Sequence, residues 1–272
     1  LGVIYHQKGE NDRAVDLITK ALAIKPDYAE AHSNLLVCLQ YHPDMDALRL
    51  KQEHLRWWET HGKGVPPLKT FDDLDLTLDR PLRMGMISPD FGNHPVGYLT
   101  IKLLENCNHQ GMQLFCYSDR IISDNYTKRF AKAASQWAHT HGLSDLDLAH
   151  KIQEDRIDIL FDLAGHTAQN RLTMFARKPA PIQISWLGYA GTTGLATMDY
   201  ILADRFQIPR NHERYFTETV LRMPQSSWCY DIPANMPPVA INSAPSHSQR
   251  TKGLIWMRIA QAPSPRSSPS AT

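Results

Sequence analysis

The stretch IDILFDLAG, residues 157–165, decides the fold, because it is a mostly apolar run of strand length that stops at a glycine. Four further runs of this kind are LRMGMIS (82–88), MQLFCYS (112–118), IQISWLG (182–188) and MDYILAD (198–204). Helices are expected between them, at 96–107, 128–138, 144–156 and 171–180. Mostly apolar strands separated by helices are typical of a parallel sheet that is covered on both faces. We therefore predict a doubly wound, Rossmann-like α/β lobe over residues 82–241.

Residues 1–62 carry a different pattern, in which small and apolar side chains recur at helical spacing. Leu1, Gly2 and Tyr5 fall on one predicted helix, and Ala14, Ile18 and Ala21 fall on a second that Pro26 ends. This spacing resembles the tetratricopeptide repeat (TPR), and residues 29–39 resemble the start of a second repeat. An ordinary helical hairpin is the alternative. A further amphipathic helix is expected over residues 41–62, with Trp57 and Trp58 as packing residues.

Two segments lack any sustained periodicity. Residues 63–81 hold Pro, Gly and several Asp, and we interpret them as a linker. Residues 242–272 are rich in Ser, Pro, Arg and Thr, which predicts a disordered tail and suggests translation out of frame. The chain begins at Leu1 inside a helical pattern, so we expect it to be a piece of a longer protein.

The composition narrows the classes of function. Among 272 residues, 29 Lys and Arg balance 28 Asp and Glu, which gives no electrostatic case for binding nucleic acid or an anionic membrane. No apolar run approaches the roughly 18 residues that span a bilayer, and no signal-peptide pattern opens the chain. The four cysteines are far apart, so we expect buried free thiols in a cytoplasmic protein and neither a disulfide framework nor a metal site.

Ligands of open parallel sheets bind beyond the carboxyl ends of the strands, so the loops there are the candidate site. The loop after the first strand, SPDFGNHPVGYL, offers Asp90 and His94. A histidine titrates near neutral pH and can act as an acid, a base or a hydrogen-bond donor. The alternative is that His94 only caps the following helix.

Two more loops complete the predicted site. LAGHT places Gly165, His166 and Thr167 at the end of a strand, with a simple turn in which Thr167 caps a helix as the alternative. WLGYAGTTG holds Gly188, Gly191 and Gly194, which would allow backbone to approach a ligand closely. Elsewhere, His139 and His141 lack partners at metal-ligand spacing, and we interpret Arg171, Arg177 and Lys178 as a solvated helix face.

Taken as a set, these loops resemble the first catalytic lobe of the O-GlcNAc transferase family. The resemblance rests on SPDFGNHPVGYL, LAGHT and PAPIQISWLGYAGTTG, preceded by TPR-like helices, and covers roughly residues 1–240. It implies a two-lobed fold of the GT-B type, a UDP-GlcNAc donor, inversion at the anomeric carbon without a metal or other cofactor, and Ser or Thr of proteins as acceptors. The TPR region would help to bind those protein partners.

The resemblance also implies roles for individual residues. His94 matches the active-site histidine of the DFGNHP loop and would position acceptor and donor, with a general-base role left open. Leu187 and Gly188 match backbone positions that face the sugar, with Tyr189 beside them. Thr167 matches a polar position near the donor. We therefore expect Asp90, His94, Thr167 and Gly188 to converge on one crevice, with Gly165 and His166 as further substrate-binding candidates.

Two alternatives stay open. A relative within the same family could use another nucleotide sugar, such as one carrying fucose or glucose. The chain could instead be a binding or scaffolding module without catalysis. Because the family's second lobe, which holds most of the nucleotide site, has no counterpart here, we expect the polypeptide as written to be inactive.

Overall fold

The computed structural model describes residues 1–68, 71, 77, 80–107 and 111–231. The predicted tail, 242–272, and the end of the predicted lobe, 232–241, lie outside the described residues, as do nine of the nineteen residues of the predicted linker. The described residues fall in one compact unit that ends at Asp231.

The amino-terminal part of the chain is helical, as predicted. Its elements are α1 (Gly2–Gln7), α2 (Asn11–Ile24), α3 (Ala29–Gln40), α4 (Ala47–Trp57) and a π-helical turn (Trp58–Gly62) that continues α4. A Cβ on Gly2 would lie 2.5 Å from Cγ1 of Ile18, so the missing side chain lets α1 lie close against α2. Residues 1–62, which we call the helical segment, therefore form tightly packed neighbouring helices.

The rest of the described chain forms a seven-stranded sheet. Its strands are β1 (Leu82–Ser88), β2 (Met112–Ser118), β3 (Gln136–His139), β4 (Ile159–Asp162), β5 (Ile182–Trp186), β6 (Tyr200–Ala203) and β7 (Thr219–Arg222). They lie in the order β3-β2-β1-β4-β5-β6-β7, and every neighbouring pair is parallel. The predicted parallel sheet is confirmed, and β1 and β2 have the predicted bounds.

Helices cover both faces of this sheet, as the prediction of a doubly wound lobe requires. They are α5 (Pro95–Asn106), α6 (Asn125–Ala133), α7 (Asp145–Glu154), the short α8 (Leu172–Phe175) and a 3₁₀ helix (Arg210–Tyr215). Because successive strand residues point to opposite faces, Ile87 packs with Leu148 of α7, whereas Met86 packs with Ile101 of α5.

The helical segment docks on the α7 face of the sheet. Leu36 of α3 and Trp57 of α4 are fully buried in the same apolar cluster as Ile87. The indole Nε1 of Trp57 donates to the carbonyl of Ala29 at 3.2 Å, which satisfies its polar atom inside the protein. Trp57 is thus a packing residue, as expected, and the helices and the lobe share one core.

The structure corrects three predicted elements. The helix predicted over 128–138 ends at Ala133, and its last residues belong to strand β3. Strand β7 was not predicted. Both missed strands lie at the edges of the sheet and are only partly buried, so neither shows the apolar run that marks a strand covered on both faces. The helix predicted over 171–180 is limited to α8, one turn long.

All four cysteines are free thiols. Cys38 and Cys116 are buried, as expected, whereas Cys107 and Cys229 are only half-buried. Burial raises the pKa of Cys116 to about 12, because a thiolate there would lose its hydration. Cys116 is therefore a packing residue and not a nucleophile.

Candidate functional site

The strand order places the candidate site between β1 and β4. From β1 the chain turns to β2 and β3 on one side, and it later returns to β4 on the other side. Such a reversal opens a crevice at the carboxyl ends of the two central strands. The loops after β1, β4 and β5 all leave that edge. Asp90, His94, Thr167 and Gly188 therefore lie at one edge of the sheet, and their convergence on one crevice stays a prediction.

The loop after β1 leads into α5 through His94. The imidazole Nδ1 accepts a 3.3 Å hydrogen bond from the backbone N–H of Val96, so His94 caps the helix. Pro95 follows at the first helical position, where a missing N–H costs nothing. The side chain nevertheless keeps 42% of its surface exposed. The cap holds the ring in the loop after β1 with part of its surface exposed, so the capping alternative and a functional role are compatible.

Asp90 lies beside this ring. Its Oδ2 is 3.6 Å from Nδ1 of His94, which is beyond hydrogen-bond distance but close enough for electrostatic attraction. Burial raises the pKa of Asp90, while the nearby His94 and Arg120 partly oppose the rise. Asp90 is thus available to pair with the imidazole after a small movement of either side chain.

A carboxylate from the next loop fixes the β1 loop from outside. Asp124 accepts hydrogen bonds from the backbone N–H of Asn93 at 2.7 Å and from Nη2 of Arg120 at 2.7 Å, while it also caps α6. The guanidinium of Arg120 lies against Gly92, where a Cβ would be 2.2 Å from Nε. Burial alone would raise the pKa of Asp124, but these donors outweigh it and lower the pKa to about 2. We call Asp124 and Arg120 together the β1-loop clamp.

The turn after β4 is held by a buried carboxylate. Asp162 accepts from the N–H groups of Ala164 at 3.0 Å and Gly165 at 2.9 Å. Burial raises its pKa to about 6, although those two N–H groups oppose the shift. Gly165 has φ +54°, and a Cβ there would lie 2.2 Å from Cβ of Tyr189, so this turn requires glycine.

The two polar residues of this turn behave differently. Thr167 is half-buried, and its hydroxyl donates to the carbonyl of Ala164 at 2.8 Å, so it stays within the turn; α8 begins five residues later and Thr167 does not cap it. His166 is fully buried, and both ring nitrogens have protein partners, Ser33 and Thr193. The structure therefore corrects the expectation that the His166 side chain faces a ligand, because it points into the protein.

The loop after β5 brings backbone close to the same turn. A Cβ on Gly188 would lie 1.9 Å from the carbonyl oxygen of Leu163, so only glycine fits. Leu187 has φ +63°, which is rare for a residue with a side chain. Tyr189 is 5% exposed, and its hydroxyl bonds Nε2 of His54 at 2.8 Å. Leu187 and Gly188 are half-buried, whereas Tyr189 is buried and its side chain is turned inward, which corrects its expected role as a ligand contact.

A buried glutamate holds the end of this loop. Glu218, 5% exposed, accepts from the hydroxyl of Thr192 at 2.6 Å and from the backbone N–H of Thr193 at 2.6 Å. A Cβ on Gly194 would lie 2.5 Å from the carbonyl oxygen of His54, so the loop presses directly on α4. Gly188 and Gly194 of this loop thus both serve close packing against protein backbone.

The loop after β2 contributes residues that the sequence analysis missed. Asp119, which is 3% exposed, accepts hydrogen bonds from Nε of Arg171 at 2.7 Å and from Nη2 at 2.8 Å. Nη1 of Arg171 also donates to Asp145 at 2.9 Å. Lys178 pairs with Asp199. The predicted solvated face of Arg171, Arg177 and Lys178 is therefore wrong, because Arg171 and Lys178 are half-buried in ion pairs. Asp119, Arg120 and Asp124 follow a predicted strand, so position alone could have identified them; nothing in the sequence marks Glu218.

Two further observations concern the described residues only. They contain no group of three or more His, Cys, Asp or Glu side chains arranged to hold a metal ion. None of their helices is both long and apolar enough to cross a membrane.

A parallel doubly wound sheet with polar and glycine-bearing loops at its switch point is typical of the nucleotide-binding α/β lobes, a class that hosts many functions. The family model "Glycosyl transferase family 41" matches residues 60–249. This chain belongs to that family. The match ends within the segment predicted to be a tail, several residues after Ile241.

Curated relatives agree with this assignment. A rice protein named "Probable UDP-N-acetylglucosamine--peptide N-acetylglucosaminyltransferase SPINDLY" is 35% identical over 229 residues, which are 83% of this chain and 25% of the relative. A tomato protein with the same name is 32% identical, and the match covers 89% of this chain and 28% of the tomato protein. The Arabidopsis protein named SEC is 32% identical over 62% of this chain and 17% of its own length. The chain therefore spans about a quarter of the relatives it matches.

A solved structure shows the same fold. The chain of a Thermobaculum terrenum O-GlcNAc transferase mutant, K341M, superposes with a TM-score of 0.80 at 32% identity. The match covers 90% of the present chain and 46% of that one. The present fold thus corresponds to one part of a larger architecture.

Proposed function

We propose that this chain is the first lobe of a two-lobed transferase that moves GlcNAc from UDP-GlcNAc to Ser or Thr hydroxyls of proteins. The observation that carries the proposal is His94, held half-exposed by its helix cap at the switch point, on the same sheet edge as the Gly188 backbone. The curated relatives are named for this transfer. The remainder of the donor site would come from a second lobe, so the 272-residue chain alone is expected to be inactive.

The contacts of His94 define what it would do. The Val96 N–H approaches Nδ1 as a donor, which selects the tautomer with the proton on Nε2; that atom would donate to an oxygen of donor or acceptor. Movement of Asp90 onto Nδ1 would select the opposite tautomer and leave Nε2 as a base. The first arrangement positions substrates, and the second would accept the proton of the acceptor hydroxyl.

The proposed reaction is a single displacement that inverts the anomeric carbon and needs no metal. The acceptor oxygen forms a bond to that carbon while the bond to the diphosphate breaks, and UDP leaves with the electron pair. The hydroxyl proton passes to a base. Backbone at Leu187 and Gly188 would lie against the sugar, and Thr167 would lie near the donor.

The helical segment is proposed to be the last part of a TPR array that helps to bind protein acceptors. Support comes from the close approach of α1 and α2, where Gly2 meets Ile18 and where Ala14 is fully buried. Small residues at these places are what the repeat pattern requires.

A chimera tests the proposal. Residues 1–231 are joined to the second lobe of the rice relative, and transfer is measured with UDP-GlcNAc, UDP-glucose and GDP-fucose, with and without EDTA. We expect EDTA-resistant transfer from UDP-GlcNAc, and a loss of about 10²–10⁴-fold in His94→Ala. The matched control is His141→Ala, since His141 is exposed and follows β3, which lies two strands away from β1 in the sheet.

Each outcome decides a separate part of the proposal. Near-normal transfer by His94→Ala removes the role of His94. Because the second lobe would hold most of the nucleotide site, preference for another donor sugar identifies the donor of the borrowed lobe, and loss on adding EDTA corrects the metal-independent step. A folded chimera that binds acceptor but transfers nothing supports the alternative of a non-catalytic binding module.

A further inference from the structure

Two buried histidines lie between the helical segment and the site loops, and the proposed reaction uses neither. His54, on α4, and His166, after β4, are both 0% exposed. Their rings meet edge to face with centroids 5.1 Å apart, and Trp57 packs on His166 at the same separation. Such polar groups are costly to bury unless their hydrogen bonds are made.

His166 joins α3 to the loop after β5. Its Nδ1 lies 3.0 Å from the hydroxyl of Ser33, and its Nε2 lies 2.8 Å from the carbonyl oxygen of Thr193. A carbonyl only accepts, so Nε2 must carry the proton and Nδ1 must accept from Ser33. One imidazole thus bridges the helical segment and the glycine-bearing loop.

His54 joins α4 to the same loop by a second path. Its Nδ1 lies 2.7 Å from the carbonyl oxygen of Leu50, and its Nε2 lies 2.8 Å from the hydroxyl of Tyr189. The carbonyl selects the tautomer with the proton on Nδ1, so the Tyr189 hydroxyl donates to Nε2. His54 and His166 are therefore opposite tautomers, each with one donated and one accepted hydrogen bond.

We propose that His54 and His166 are positioning residues, through which α3 and α4 set the places of the loops after β4 and β5. The proposal rests on the proposed function for what those loops contact, but the coupling itself is a property of this chain. The proposed coupling acts on the loops after β4 and β5 but not on the loop after β1. The β1 loop with His94 is held by Asp124 and Arg120, within the lobe, and so would not follow the helices.

The test uses the 272-residue chain and removes one hydroxyl from each of the two bridges. The variants are Ser33→Ala and Tyr189→Phe, and the control is Tyr215→Phe, whose exposed hydroxyl contacts only Arg214 among the described residues. We expect amide hydrogen exchange of residues 187–194 to rise about tenfold in both variants, which is the effect of one lost hydrogen bond on local opening. Exchange of residues 90–94 should be unchanged.

Ring ¹⁵N spectra supply a second measurement that a merely space-filling role would not move. The wild-type chain should show His54 protonated on Nδ1 and His166 protonated on Nε2. Ser33→Ala should shift Nδ1 of His166 alone, and Tyr189→Phe should shift Nε2 of His54 alone. Tyr215→Phe should shift neither.

Three results would overturn the proposal: equal exchange in both loop regions, faster exchange only through global unfolding, or identical tautomers for the two rings. None of these measurements involves sugar transfer. Failure of the chimera assay would therefore leave this coupling standing, and failure here would leave the role of His94 untouched.

Discussion

The loop after β1 and the loops after β4 and β5 lie at one edge of the sheet but differ in their contacts with the helical segment. His94 keeps 42% of its side chain exposed, and the β1-loop clamp that holds its loop belongs to the lobe. His166 and Tyr189 are buried, and their partners Ser33 and His54 belong to the helical segment. Under the proposed coupling, the loop of His94 is held within the lobe, while the loops after β4 and β5 are held both by the lobe, through Asp162 and Glu218, and by the helices.

The largest expected effect comes from adding one methyl group at the closest backbone contacts. Gly188→Ala would place Cβ 1.9 Å from the Leu163 carbonyl, and Gly97→Ala would place it 2.0 Å from the Gly92 carbonyl. Because neither backbone can yield freely, each should lower the free energy of unfolding by about 3 kcal/mol. Gly64→Ala, which meets nothing within 4 Å, is the control. Denaturant unfolding that finds all three alike would show that these contacts relax without cost.

The next largest effect is a dependence of stability on pH, which we expect to arise from the buried groups near the loops after β4 and β5. Burial lowers the pKa of His54 to about 4 from 6.5, so the unfolded chain binds the proton more tightly. Stability from His54 is complete above pH 6.5 and is lost as pH falls towards 4, by about 2 kcal/mol at about pH 5. His166, whose pKa burial also lowers, adds to the loss. Asp162 opposes it, because a pKa raised to about 6 favours folding as pH falls from 6 towards 3.8.

Unfolding measured between pH 7 and pH 5 checks this. His54→Gln should flatten the pH dependence, Asp162→Asn should steepen it, and exposed His141→Gln should leave it unchanged. As pH falls, protection against hydrogen exchange, corrected for the intrinsic pH dependence of the exchange rate, should be lost first in residues 187–194 and later in residues 90–94. The reverse order would break the comparison.

A smaller effect is expected at the β1-loop clamp. Asp124→Asn keeps the shape of the side chain but removes the negative charge that strengthens the hydrogen bonds from the Asn93 N–H and the Arg120 guanidinium. We expect a loss of about 1 kcal/mol, since Asp124 is partly exposed and water screens the pair. In NMR spectra the shifts should concentrate at residues 90–94 and spare 187–194. Asp44→Asn, at an exposed site, is the control.

The smallest effect concerns Thr167. Thr167→Val removes a hydroxyl that donates to the Ala164 carbonyl, which should cost roughly 0.5–1.5 kcal/mol of stability. If the hydroxyl also contacts the donor, the substitution should raise the chimera's KM for UDP-GlcNAc in addition to lowering its stability. The kcat should be nearly unchanged. An unchanged KM would leave Thr167 only a turn residue.

Burial decides how much of the molecule could be predicted from its sequence. Strands β1 and β2 are covered on both faces over most of their length, so apolar runs gave their bounds. Edge strands β3 and β7 are partly exposed and carry no such run. The same limit applies to the site: His94 follows a predicted strand and could be found, whereas His54 acts 135 residues away from Tyr189. The sequence pattern alone does not distinguish a buried histidine that links two segments, such as His166, from a histidine that contacts a ligand.

The bridges from the helical segment also have a consequence for the order of events during biosynthesis. Ser33 lies 133 residues before His166, and Lys51 lies 165 residues before Phe216, to whose carbonyl it donates. A ribosome completes α3 and α4 long before the loops they hold exist. Contacts so distant along the chain form late and slowly. The helices therefore emerge first but can complete their packing only when the lobe that shares their core has been made, and the last loops to emerge would be the last to reach their places.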